Sequence, residues 1–137
     1  MDAMPEVIVR QAAFVHRTAV VARGAELGVG VRIGPYCSVG ANVVIEDRAE
    51  LISHVVVDGH TRIGADVVLY PFCTVGLAPQ DLKYKGQPTR CEIGVRTQVR
   101  EHCTIHRGTV TGKGITRVGS DCMLIDRKST RLNSSHT

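Results

Sequence analysis

The sequence predicts an all-β fold, a parallel β-helix built from hexapeptide repeats with two loop excursions, and three observations carry that reading. Every sixth residue from Val15 to Val75 is aliphatic: Val15, Val21, Leu27, Ile33, Val39, Ile45, Leu51, Val57, Ile63, Leu69 and Val75. Val, Ile and Leu make up 36 of the 137 residues. Eleven in a row at one spacing is then a chance event on the order of one in a few million. Four places after each aliphatic stands a small or β-branched residue, from Ala19 and Ala25 through Val43 and Ala49 to Thr61, Val67 and Cys73. Glycine follows the aliphatic at Gly28, Gly34, Gly40, Gly64 and Gly76, where a tight corner can use the φ freedom that glycine allows.

An α-helix turns through about 600° in six residues, so it cannot hold these aliphatics on one face. Flat sides six residues long can. Three sides make a coil of 18 residues, and coils stack at the strand spacing of about 4.8 Å. Residues 18 apart then form internal columns: Val15, Ile33, Leu51 and Leu69 in one, and Val21, Val39, Val57 and Val75 in another. Each fully buried aliphatic contributes about 1.5–3 kcal/mol, and the repeat supplies one per side.

Along the chain, residues 1–12 read as a lead-in and 13–125 as the repeat. The hexads pause after Val75 and resume at Ile93, Val99 and Ile105. Between them Gly76–Glu92 (GLAPQDLKYKGQPTRCE) carries two Pro, two Gly and five charges, the composition of an excursion from the coil. A second excursion, Thr111–Arg117 (TGKGITR), precedes Val118 and Leu124. Residues 126–137 (DRKSTRLNSSHT) break the pattern and resemble the translation of a sequencing-library adaptor, so they read as a non-native tail after a truncated repeat. His136 carries no functional weight on that reading.

Composition narrows the function. The net charge is +4, yet the first 125 residues hold 14 basic and 12 acidic side chains. That balance, with aromatics at 4% and no Trp, gives no nucleic-acid footprint. The sequence shows no long apolar run and no signal-peptide pattern, so a cytoplasmic location without a transmembrane segment is expected. Cys37, Cys73, Cys103 and Cys122 stand at the small-residue position of the hexad, and with Cys91 they read as buried free thiols. No CxxC occurs. His102 and His106 lie four apart on an extended chain, about 13 Å, too far to share one metal ion. No metal site and no cofactor is expected.

Specific strings carry a resemblance. QDLKYKGQPTR, then TIHRGT, together with SHVVVDGHT and VGSD, closely resemble the UDP-N-acetylglucosamine O-acyltransferases that open lipid A biosynthesis. The match runs from about Ala13 to Ile125. The resemblance implies a left-handed parallel β-helix, a homotrimer with active sites between subunits, and an acyl carrier protein that delivers a 3-hydroxyacyl thioester. The 3-hydroxyl of UDP-N-acetylglucosamine would attack that thioester. It also implies that Asp81 contacts the sugar, that Gln80 and Lys83 line the cleft near the donor, and that His106 is a supporting histidine. Tyr84 and Arg90 would shape the loop. The family's general-base histidine follows the VGSD segment and would fall near Leu132, inside the tail. No catalytic base is therefore expected in this chain, which should be inactive by itself. The hexads alone leave open an acyltransferase for another nucleotide sugar or an amine, and a non-catalytic solenoid that binds a partner.

Overall fold

The computed structural model describes residues 12–77, 89–106 and 114–126, together with the backbone of Ile8–Val9. Its strands form three parallel sheets, the three sides of a prism. Sheet A stacks β1 (Ile8–Val9), β4 (Glu26–Leu27), β7 (Val43–Ile45), β10 (His60–Ile63), β13 (Arg90–Ile93) and β16 (Ile115–Val118). Sheet B stacks β2 (Phe14–Val15), β5 (Arg32–Ile33), β8 (Glu50–Leu51), β11 (Val68–Leu69), β14 (Gln98–Val99) and β17 (Met123–Leu124). Sheet C stacks β3 (Val20–Val21), β6 (Ser38–Val39), β9 (Val56–Val57), β12 (Thr74–Leu77) and β15 (Thr104–His106). The described residues contain no helix.

The register is the one the hexads predict. Val15 pairs Ile33, Ile33 pairs Leu51 and Leu51 pairs Leu69, and the Val21, Val39, Val57, Val75 column is equally regular. Sheet A supplies the third column, Leu27, Ile45 and Ile63. The small-residue positions point inward too, so each six-residue side buries two residues. β1 already pairs with β4, so sheet A begins inside the segment expected as a lead-in.

Two expectations need correction. Ile115–Arg117 and Arg90–Glu92, assigned to excursions on composition, are in-register strand residues of β16 and β13. Likewise Gly76 and Leu77 end β12. The second correction concerns the hexad glycines. At Gly28, Gly34, Gly40 and Gly64 the need is space, not φ. A Cβ at Gly34 would lie 1.8 Å from the Ile52 carbonyl oxygen of the next coil, and at Gly64 2.8 Å from that of Ile93. Left-handed φ falls instead at the next corner residue but one, and bulky side chains occupy it: Tyr36, Arg48, His54, Asp66, Phe72, Arg96, His102 and Asp121. Such a φ is costly for these residues. In return, it turns their N–H groups onto the coil below. Arg48 N donates to Val29 O at 2.8 Å, His54 N to Pro35 O at 3.0 Å and Asp121 N to Val95 O at 2.9 Å.

Candidate functional site

Each of the three corners has its own chemistry. Between sheets A and B the left-handed positions build a charge ladder. The Arg48 guanidinium donates twice to Asp66, at 3.0 and 3.1 Å, and Arg96 donates twice to Asp121, at 2.7 and 3.0 Å. Hydrogen bonds from these arginines hold both carboxyls below their ordinary pKa. Between sheets B and C the same positions build a ring ladder. Tyr36, His54, Phe72 and His102 stack at centroid spacings of 5.2, 4.8 and 5.4 Å.

The corner from sheet C back to sheet A is different. β12 departs from regular pairing at its end: Gly76 adopts φ +84°, the register with β15 shifts, and Leu77 comes to pair with His106. The described residues stop at Leu77 and resume at Thr89, and stop at His106 and resume at Gly114, so segments 78–88 and 107–113 both begin and end at this corner, on successive coils. Gln80, Asp81, Lys83 and Tyr84 lie outside the described residues. The segment that carries them joins Leu77 to Thr89.

His106 is therefore the one expected site residue that the structure places. It ends β15, half-buried, with Nδ1 buried and no hydrogen-bond partner. Thr89 is buried at 2% exposure, and its hydroxyl is also unpaired. These are the two unpaired buried side-chain polar atoms among the described residues. An unpaired buried polar group costs about 1–3 kcal/mol, so each needs an explanation. Sequence reasoning missed Thr89, because its neighbours in space are visible only once the register is known.

Beside this corner, at the start of sheet A, a shallow cleft of about 130 Å³ is lined by Asn42, His60, Thr61, Arg90, Cys91 and Glu92, among others. His60 and Arg90 are register partners there. A larger groove of about 330 Å³ runs over Glu26, Glu46 and Asp47 further along sheet A. Size does not mark the site. Glu46 already accepts from Arg62 at 2.5 Å and Asp47 from the Val29 N–H at 2.9 Å, so that groove's chemistry is largely satisfied internally. His54 and His102 belong to the ring ladder, apart from His106. Among the described residues no three or more His, Cys, Asp or Glu side chains gather as a metal site would need.

Burial disfavours the thiolate at Cys37, Cys73 and Cys103. Cys37, Cys73, Cys91 and Cys103 are buried and take part in no disulfide. Burial, with the neighbouring Cys103 and Cys37 thiols, pushes Cys73 up to about 12. A thiol held protonated does not attack a thioester.

No family model matches the chain. Solved structures do. LpxA, a UDP-N-acetylglucosamine acyltransferase from Bacteroides fragilis 9343, is 35% identical over 82% of the chain, with a TM-score of 0.78. The UDP-N-acetylglucosamine acyltransferase from Campylobacter jejuni is 30% identical over 80%, with a TM-score of 0.74. LpxA from Acinetobacter baumannii is 39% identical over 85%, with a TM-score of 0.51. The chain spans 44% of the length of each of these three. These acyltransferases are left-handed parallel β-helices, and the chain shares their fold.

Proposed function

We propose that this segment works in an acyltransferase that moves a 3-hydroxyacyl group from acyl carrier protein to the 3-hydroxyl of UDP-N-acetylglucosamine. One observation supports it most: the irregular corner, with His106 and both excursions, falls within a chain that matches UDP-N-acetylglucosamine acyltransferases at 30–39% identity. In the reaction the sugar hydroxyl oxygen attacks the thioester carbonyl. A C–O bond forms and the C–S bond breaks, while a base takes the hydroxyl proton and returns it to the leaving carrier sulfur, which departs as the thiol. Such chemistry needs held substrates and donors for the oxyanion. This segment's contribution is holding. Asp81 contacts the sugar, Gln80 and Lys83 line the donor side, and His106 supports them.

The proposal includes a homotrimer. The outward column of sheet C, Val20, Ser38, Val56, Thr74 and Thr104, carries no charge, and Val20 is 65% exposed. The outward column of sheet A, by contrast, carries Glu26, Arg62, Glu92 and Arg117. An uncharged flat side suits contact between copies. Among the described residues no helix is long and apolar enough to cross a membrane. Both substrates suit a cytoplasmic setting.

The test is a labelled-sugar assay with acyl carrier protein donor, run on a polypeptide of the relatives' full length that carries this segment. Asp81→Ala should lower transfer by about 10²-fold or more, as loss of a charged substrate contact does. Cys37→Ala should act through stability alone. Undiminished transfer by Asp81→Ala would remove that residue from the site.

A further inference from the structure

The two unpaired buried polar atoms share one corner and one coil. Thr89 stands at the start of the coil formed by β13, β14 and β15, and His106 stands at its end. One turn of the solenoid brings the chain back to the same corner, displaced along the axis by about one strand spacing.

Thr89 is unlike the other buried threonines. The Thr61 hydroxyl donates to the Asp58 carbonyl at 2.6 Å, and the Thr97 hydroxyl to the Gly119 carbonyl at 2.7 Å. Thr89 finds no carbonyl. Its neighbour Arg90 pairs with His60 below and Ile115 above, which places Gly59 and Gly114 on either side of Thr89. Both glycines adopt left-handed φ, +71° and +73°, and neither offers a side chain. A Cβ at Gly114 would meet nothing within 4 Å. The hydroxyl is thus buried without a partner in a scaffold where the equivalent groups are satisfied.

The chemistry of the pair selects its complement. A neutral imidazole nitrogen donates or accepts according to tautomer, and a threonine hydroxyl does both. A carboxylate or phosphate only accepts, and an ammonium only donates. A hydroxyl does both, so it can satisfy Thr89 Oγ1 and His106 Nδ1 in either tautomer. We propose that Thr89 and His106 together bind one ligand hydroxyl, which makes Thr89 a binding residue of this site. Whose hydroxyl it is rests on the acyltransferase reading, since acceptor sugar and 3-hydroxyacyl donor each carry one.

The experiment is calorimetric titration of the 137-residue chain and its Thr89→Val and Thr89→Ser variants, with His106 Nδ1 followed by nitrogen NMR. The probes are UDP-N-acetylglucosamine against UDP, and 3-hydroxybutyryl-pantetheine against butyryl-pantetheine. Thr89→Val is close to isosteric and Thr89→Ser restores the hydroxyl, so a folding defect is told apart from a lost contact. One hydroxyl-bearing probe should bind Thr89→Val about tenfold more weakly, with Thr89→Ser near the parent. That probe alone should move the His106 nitrogen, and its identity names the source of the hydroxyl. Binding that ignores Thr89→Val overturns the pair while leaving the acyltransferase reading intact. So does a His106 signal that moves with Thr89→Val in ligand-free protein and not with ligand, the mark of a structural water only. If no probe binds, glycerol and N-acetylglucosamine at high concentration replace them, and the acyltransferase reading is decided by the full-length transfer assay instead. A Thr89-dependent His106 shift then upholds the hydroxyl site, and its absence overturns it.

Discussion

The corners between sheets A and B and between B and C differ from the corner that returns to A in one respect, which is satisfaction. At the first two, the charged and aromatic left-handed residues pair with a neighbour one coil away, as ions in one ladder and rings in the other. At the third, strand pairing shifts register, and Thr89 and His106 keep unpaired polar atoms. A repeat protein accumulates stability coil by coil from nearest-neighbour contacts. A corner that forgoes those contacts costs stability, a cost that the proposed ligand hydroxyl would offset. The thiols sharpen the same contrast, since Cys37, Cys73 and Cys103 are packed in the core behind the ring ladder.

The largest effect should come from the space inside a satisfied corner. Gly34→Ala drives a Cβ into the Ile52 backbone, which no rotamer change relieves. It should cost about 3 kcal/mol in denaturant unfolding. Gly30→Ala is the control, because at Gly30 the nearest atom is Arg48 Cγ at 3.4 Å and only the φ of +70° is unfavourable. That change should cost about 1 kcal/mol. Equal losses would mean that these corners are limited by backbone conformation rather than by packing.

Next comes the ring ladder. Phe72 is 53% exposed and stacks on His54 at one face and His102 at the other. Phe72→Ala removes both pairs and should cost about 1–2 kcal/mol. Phe72→His should recover part of it by keeping a ring between rings. A neutral Phe72→Ala would break the comparison, because the second corner would then be decoration and not scaffold.

The interior was legible in the sequence to the residue, because burial repeats every six positions and the prism has no other way to hide Val, Ile and Leu. The left-handed corner column was not. Tyr36, Arg48, His54, Asp66, Phe72 and Arg96 share no residue type, and their common φ follows from hydrogen bonds to the next coil that exist only after stacking. Excursion limits failed for a related reason. Ile115–Arg117 and Arg90–Glu92 read as loop by composition, yet the ladder beside them decides that they are strands. Of the candidate site, the strings QDLKY and TIHRGT pointed to Gln80, Asp81, Lys83 and His106. Thr89 gave no signal in sequence, because its distinction is two glycines 30 and 25 residues away.

The smallest effect belongs to the charge ladder, and it sharpens the comparison through pH. Arg48, Asp66, Arg96 and Asp121 follow one another up the corner, and Asp66 feels Arg96 as well as its own partner Arg48. All four are well exposed, so water and salt screen them and each pair contributes little. The sign is nevertheless fixed. Hydrogen bonds from Arg48 and Arg96 depress the folded-state pKa of Asp66 and Asp121 below the unfolded value of about 3.9. A depressed carboxyl contributes stability that is present above its unfolded pKa and is lost as pH falls through the folded one. The double variant Asp66→Asn, Asp121→Asn should therefore melt slightly below the parent at neutral pH, by less than Phe72→Ala does. The gap should close below about pH 4, where the parent's own carboxyls become protonated. It should also shrink in molar salt at neutral pH, whereas the Phe72→Ala deficit should not. A gap that survives both acid and salt would mean that the asparagines disturb the left-handed backbone itself, and the ladder would then be a matter of conformation rather than charge.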